Sequence, residues 1–183
     1  MRALLFLFAL TVAGFGQGIM IPKWGEYEIE GARFPILNFH TGDHNVSYAP
    51  PSGWTLRPGS RISFQAPNRT QMTAEIDRTP LPEPEPLSGL VARMKEKPES
   101  FVAKEAEEIT VASVVENPLL VSGHPTVEVT FKYQVFGQNF KKSILFFDRG
   151  KARFTVVLEC NEKDFAELHE AFRKSLYSYQ ELE

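Results

Sequence analysis

A single cysteine in 183 residues excludes an internal disulfide and any zinc site built from paired thiolates. An excess of one charge is also missing. Lys and Arg number 20 against 23 Asp and Glu, a formal net charge of −3, which gives no field suited to a nucleic-acid backbone. No apolar run reaches the roughly 20 residues that a bilayer-spanning helix requires. No glycine-rich phosphate loop, H-E-x-x-H or G-x-S-x-G occurs. Glu83 and Glu85 are parted by a proline in a solvated segment, which does not suit a glycosidase pair. The chain therefore reads as a non-enzyme that needs no cofactor. Its 43% hydrophobic and 23% charged residues are those of a packed domain, not a disordered one. Only 2 Trp and 5 Tyr accompany 15 Phe, so the aromatic content is mainly core material.

The N-terminus reads MRALLFLFALTVAGFGQG. Arg2 precedes an apolar run from Ala3 to Phe15, and Gly14 and Gly16 stand at −3 and −1 of a cut before Gln17. That is the layout of a secretory signal over residues 1–16, with an uncleaved anchor as the alternative. The protein is expected to be exported, periplasmic or secreted, with no stable transmembrane segment after cleavage. Residues 17–47 read as an N-terminal extension, with an edge strand around Phe34–Phe39, and residues 48–183 as the domain.

Within the domain, Ile62, Phe64 and Ala66 alternate, as do Met72, Ala74 and Ile76, and Pro67-Asn68 turns between them. Alternating prolines from Pro80 to Pro86 make a stiff extended connector. Leu87, Leu90, Val91 and Met94 then share one helical face, and Pro98 ends that helix. From Thr126, period two is clean. Val127, Val129, Phe131, Tyr133 and Val135 face one way, and Thr126, Glu128, Thr130, Lys132 and Gln134 the other. Gly137-Gln138 suits a two-residue II′ turn. Asn139–Phe147 and Ala152–Cys160 complete a meander. Cys160 shares parity with Phe154, Val156 and Leu158, so its thiol is expected to be buried. Asn161 is an N-cap for a last helix whose Phe165, Leu168, Phe172 and Leu176 form one stripe, expected to pack on the meander's apolar face. These elements predict an α+β fold, an antiparallel sheet flanked by helices.

The order strand-strand-helix, meander, helix resembles the PsbP-like superfamily, which includes Mog-type and DcrB-like proteins. The resemblance is carried by Ser52-Gly53-Trp54, by Ile62-Ser63-Phe64-Gln65-Ala66-Pro67, and by Gly123-His124-Pro125 opening the strand that holds Tyr133. Phe165 through Phe172 to Ser175-Leu176 continue it, so that it spans residues 48–180. It implies an α/β/α sandwich and a binding role without catalysis, with an envelope or exported protein as partner. Residues 19–50 have no counterpart in that pattern.

Two clusters carry chemistry. His40-Thr41-Gly42-Asp43-His44 offers two imidazoles and a carboxylate to a divalent metal or small ligand, the alternative function; a titrating polar loop is the plainer reading. Lys141, Lys142, Arg149, Lys151 and Arg153 crowd one end of the meander, where they read as a solvated edge rather than an anion site.

Overall fold

The computed structural model describes residues 22–41, 44–57, 61–81, 83 and 85–182. The leader assigned to residues 1–16, and Asp43 of the histidine loop, lie outside the described residues.

The fold is α+β. Seven strands, Thr55–Arg57 (β4), Ile62–Gln65 (β5), Met72–Pro80 (β6), Glu107–Glu116 (β7), Thr126–Val135 (β8), Gln138–Arg149 (β9) and Ala152–Asn161 (β10), form one antiparallel sheet. Its order is β4-β5-β6-β10-β9-β8-β7. A second sheet is built from the two ends of the described chain. Lys23–Ile29 (β1), Ala32–His40 (β2) and Asn45–Tyr48 (β3) pair in sequence, and Gln180–Leu182 (β11) adds beside β3. The strand expected near Phe34 is thus an interior one, flanked by β1 and β3.

Helix Leu87–Glu96 (α1) starts after Pro86, which needs no N–H at a helix start. Helix Glu162–Ser175 (α2) starts at Asn161, whose side chain accepts from the Lys163 amide at 3.2 Å. The β8–β9 turn falls one residue earlier than expected. Phe136 and Gly137 take φ of +49° and +74°, both left-handed, as a type I′ turn demands. β8 keeps its register as far as Val135 opposite Gln138, so Phe136 is left at the tip, 87% exposed.

The expectation that the last helix packs on the meander's apolar face holds for β10 and fails for β8. Val129, Phe131 and Tyr133 face α1, where Leu90 and Met94 close a core with Ile144 and Phe146. Helix α2 lies on the other face, against β9 and β10. There Leu145, Phe147, Phe154, Val156, Leu158 and Cys160 meet Phe165, Leu168 and Phe172. In β8 this covered face is the one that reads as polar: Thr126, Glu128 and Thr130 are all buried. Polarity misassigned it because both faces of an interior strand can be sealed, provided that its polar groups find partners.

The small sheet joins the α2 side through aromatics. Tyr179 stands edge-on to Phe39, Phe147 and Phe154 at 5.7–6.2 Å between centroids. Tyr48 meets Phe64 at 5.7 Å, and its hydroxyl lies 2.6 Å from the Ser175 hydroxyl. Phe172 stacks on Trp54 at 5.6 Å and meets Phe64 at 6.3 Å. Phe172→Ala should therefore cost about 3–5 kcal/mol, through lost burial and the cavity left behind. Urea unfolding followed by tryptophan fluorescence measures this, and the Trp54 signal should respond.

Candidate functional site

Glu128 is 4% exposed, on β8 beneath α2. Ser143, on neighbouring β9, donates its hydroxyl to Glu128 Oε1 at 2.5 Å. His169 of α2 places Nε2 at 2.5 Å from the same oxygen. A carboxylate only accepts, so the imidazole carries a proton on Nε2. Arg173, one helical turn on, sets Nη1 at 3.7 Å from Glu128 Oε2 and donates Nη2 to the Pro118 carbonyl at 2.6 Å. Burial pushes the Glu128 carboxyl up. The hydrogen bonds from His169 and Ser143, with the charges of His169 and Arg173, outweigh it and hold the group below its ordinary value of 4.5. Ser143 and His169 both donate into one oxygen of Glu128, so the carboxylate is the group that the hydroxyl and the imidazole share. A cavity of about 10 Å³ beside them has room for at most one water. The cluster ties α2 to β8 and β9.

The largest contrast to this interior is the β1–β2 hairpin. Its base is anchored by Leu37 and Phe39, both buried, whereas Trp24, Tyr27 and Phe34 are 48%, 36% and 41% exposed. The tip is a Glu30–Gly31 turn with φ of +51° and +82°. The turn sets Tyr27 opposite Phe34, and their rings stack at 5.2 Å. Across the other face Arg33 bridges Glu26 at 3.6 Å and Glu28 at 3.8 Å. The arrangement is an arm with the Tyr27–Phe34 stack on one face and, on the other, Trp24 beside the Glu26–Glu28–Arg33 charges.

The sequence-predicted groups are placed as follows. His40 ends β2, exposed, with Nδ1 3.2 Å from Asn45 Oδ1. The Thr41 amide donates to the His44 carbonyl at 2.8 Å, which closes the loop and draws the two histidine backbones together. Among the described residues no three His, Cys, Asp or Glu side chains are grouped to hold a metal ion. The basic cluster is not at a sheet edge, because β9 and β10 are interior strands. Lys141 pairs with Glu162 at 3.3 Å, Lys142 with Glu159 at 3.0 Å, and Arg149 with Glu181 at 2.5 Å. Arg153, 6% exposed, grips both Asp148 oxygens at 2.7 and 2.8 Å and the Glu85 carbonyl at 2.5 Å. Four of the five are thus held by carboxylates of the protein itself, and Lys151 stands exposed in the β9–β10 turn.

Cys160 is buried beside a cavity of about 200 Å³ whose walls include Arg69, Lys163 and Asp164. Burial, then the charges of Asp164 and Glu159, push its thiol up to about 12, so it stays protonated and unreactive at neutral pH. His124 stacks on Phe147 at 6.2 Å and faces Glu181 at 3.6 Å, as a turn residue. The Glu128 cluster escaped sequence reading. Its one local sign is His169 and Arg173 four apart on α2, beside the apolar stripe.

No protein-family model matches the chain, and no curated protein matches it in sequence. Solved structures do match. The cyanobacterial PsbP of Synechocystis sp. PCC 6803 aligns at a TM-score of 0.54 with 12% identity, over 89% of this chain and 95% of its own. LpqN of Mycobacterium tuberculosis, described as involved in cell envelope biogenesis, aligns at 0.50 with 13% identity, over 88% and 92%. The chain has the PsbP-like fold. No helix among the described residues is long and apolar enough to cross a membrane.

A carboxyl held below its unfolded value adds stability that is complete above pH 4.5 and is lost as pH falls through the folded value. Glu128→Gln should cost roughly 1.5–3 kcal/mol at neutral pH, the worth of hydrogen bonds to a charged group. The gap from wild type should narrow at about pH 3, below the ordinary value of 4.5, because protons then bind the unfolded carboxyl more tightly than the folded one and the stabilising linkage is being lost. Urea unfolding at both pH values measures it, and an unchanged gap would mean that the charge is not what holds α2.

Proposed function

We propose that this is an exported accessory protein that works by protein–protein recognition rather than catalysis. The observation that carries the reading is the aromatic arm: a stacked Tyr27–Phe34 pair exposed on one face of the hairpin, and Trp24 exposed on the other. Aromatic side chains bring large area at low entropy cost and dominate binding energy where they are exposed for it. On this reading residues 1–16 are the export signal, 17–47 supply the arm and 48–183 the scaffold. The likeness to a protein described as involved in cell envelope biogenesis supports an envelope setting. The test is a cross-linked pull-down from native envelope, with tagged protein starting at Gln17. A stoichiometric partner is expected with wild type. Tyr27→Ser/Phe34→Ser should reduce its recovery by about tenfold, the scale of a lost aromatic anchor. Equal recovery by both proteins, or no partner for wild type, overturns the reading.

The alternative is a metal or small-ligand module built on His40, Asp43 and His44, and the loop closed by Thr41 and His44 favours it. Calorimetric titration with zinc should then show binding by wild type that His40→Ala/His44→Ala abolishes. No heat from wild type ends that reading.

A further inference from the structure

The described residues present four sheet edges: β4 and β7 on the large sheet, β1 and β11 on the small one. Three are guarded. β4 and β11 are only three residues long. β7 has ten residues, but its register breaks between Glu107 and Thr110 and again between Val111 and Ser113, and Glu108 takes φ +52°. Short length, bulges and charge are the devices that keep strands from adding to an edge. β1 lacks the first two. All seven of its residues pair with β2 in unbroken register, and among the described residues no strand lies on its other side.

The charges of β1 select a partner rather than forbid one. Pairing places Trp24, Glu26 and Glu28 on one face with Leu37, Pro35 and Arg33 across from them, and Lys23, Gly25 and Tyr27 on the other with Asn38, Ile36 and Phe34 across. One guanidinium serves both carboxylates, at 3.6 and 3.8 Å, and all three side chains are more than half exposed. Such pairs are worth about 1 kcal/mol or less and exchange readily for a new cation. Glu30 at the tip adds a further negative charge. A second copy added edge to edge in a register centred on Glu26 or Tyr27, the ones that pair most of β1, would bring these carboxylates against their own kind or leave them without a cation, which is unfavourable across a strand pair.

We infer that the outer edge of β1 takes an extended peptide strand of alternating cationic and apolar side chains, and this rests on the recognition reading above. Main-chain hydrogen bonds continue the small sheet. The incoming lysines or arginines meet Glu26 and Glu28, and the apolar side chains extend the Tyr27–Phe34 face.

The probe is a capped seven-residue peptide of alternating lysine and valine, matched to the length of β1. Titrated into isotope-labelled protein starting at Gln17, it should shift β1 amide resonances and slow their hydrogen exchange. A glutamate–valine peptide should bind at least about tenfold more weakly, and Glu26→Lys/Glu28→Lys should reverse that preference. Two further peptides separate strand addition from simple charge attraction. One is N-methylated at every lysine and the other at every valine. In a strand these amides point to opposite sides, so one peptide should keep its affinity and the other lose it. Equal binding by both, or no response at β1, overturns the inference. An unchanged urea midpoint for Glu26→Lys/Glu28→Lys shows that the arm is still folded. If the envelope pull-down recovers its partner with cross-links away from β1, the recognition reading survives and this inference fails; if no partner appears, the reading itself fails.

Discussion

Glu128 puts a carboxylate under a helix, and that position is tolerable only with partners from both sides. Ser143 answers from the adjacent strand, His169 and Arg173 from α2. Together they fix the rotation and height of α2 on the sheet more tightly than apolar contact alone, which is non-directional. The stripe of Phe165, Leu168 and Phe172 is thereby aimed at Trp54, Phe64 and the small sheet. Arg173 carries the connection outward to the Pro118 carbonyl. Helix, sheet and the loop before β8 are thus held to one another through a single buried charge.

What lay open to reading in the sequence was whatever depended on neighbours along the chain. The alternation of β8 marked the strand, the parity of Cys160 marked its burial, and Asn161 marked the start of α2 through local capping chemistry. The assignment of faces failed because Glu128 looks solvent-facing when judged by polarity. Its partners Ser143 and His169 lie 15 and 41 residues away, and only the fold assembles them. The arm was hidden for a related reason. Tyr27 and Phe34 become neighbours only through a turn whose first residue is Glu30 in the left-handed region, a position where glutamate is no signal. The histidine loop was visible as a pattern, and the structure adds its closure by Thr41 and His44.

The two ends of the described chain share a task. β1 reaches outward with aromatics, while β11 seals the opposite edge of the same sheet. Between them β2 and β3 hand the sheet to the core through Leu37, Phe39, Val46 and Tyr48, all buried. An arm used for recognition needs such a base, since binding energy is spent wherever the presenting surface has to be ordered first.

That base closes late. The Ala49 amide and the Ser178 hydroxyl that bind each other are 129 residues apart, and β11 follows immediately after. Contacts of such long separation form after local ones, because a long loop must be closed before they contribute. β1, β2 and β3 follow one another through short connections, so the contact in the small sheet that needs the C-terminal segment is β11 on β3. Completion of the small sheet is therefore a mark of a finished chain: a molecule without its last strand keeps the β1–β2 hairpin but leaves the edge of β3 uncovered.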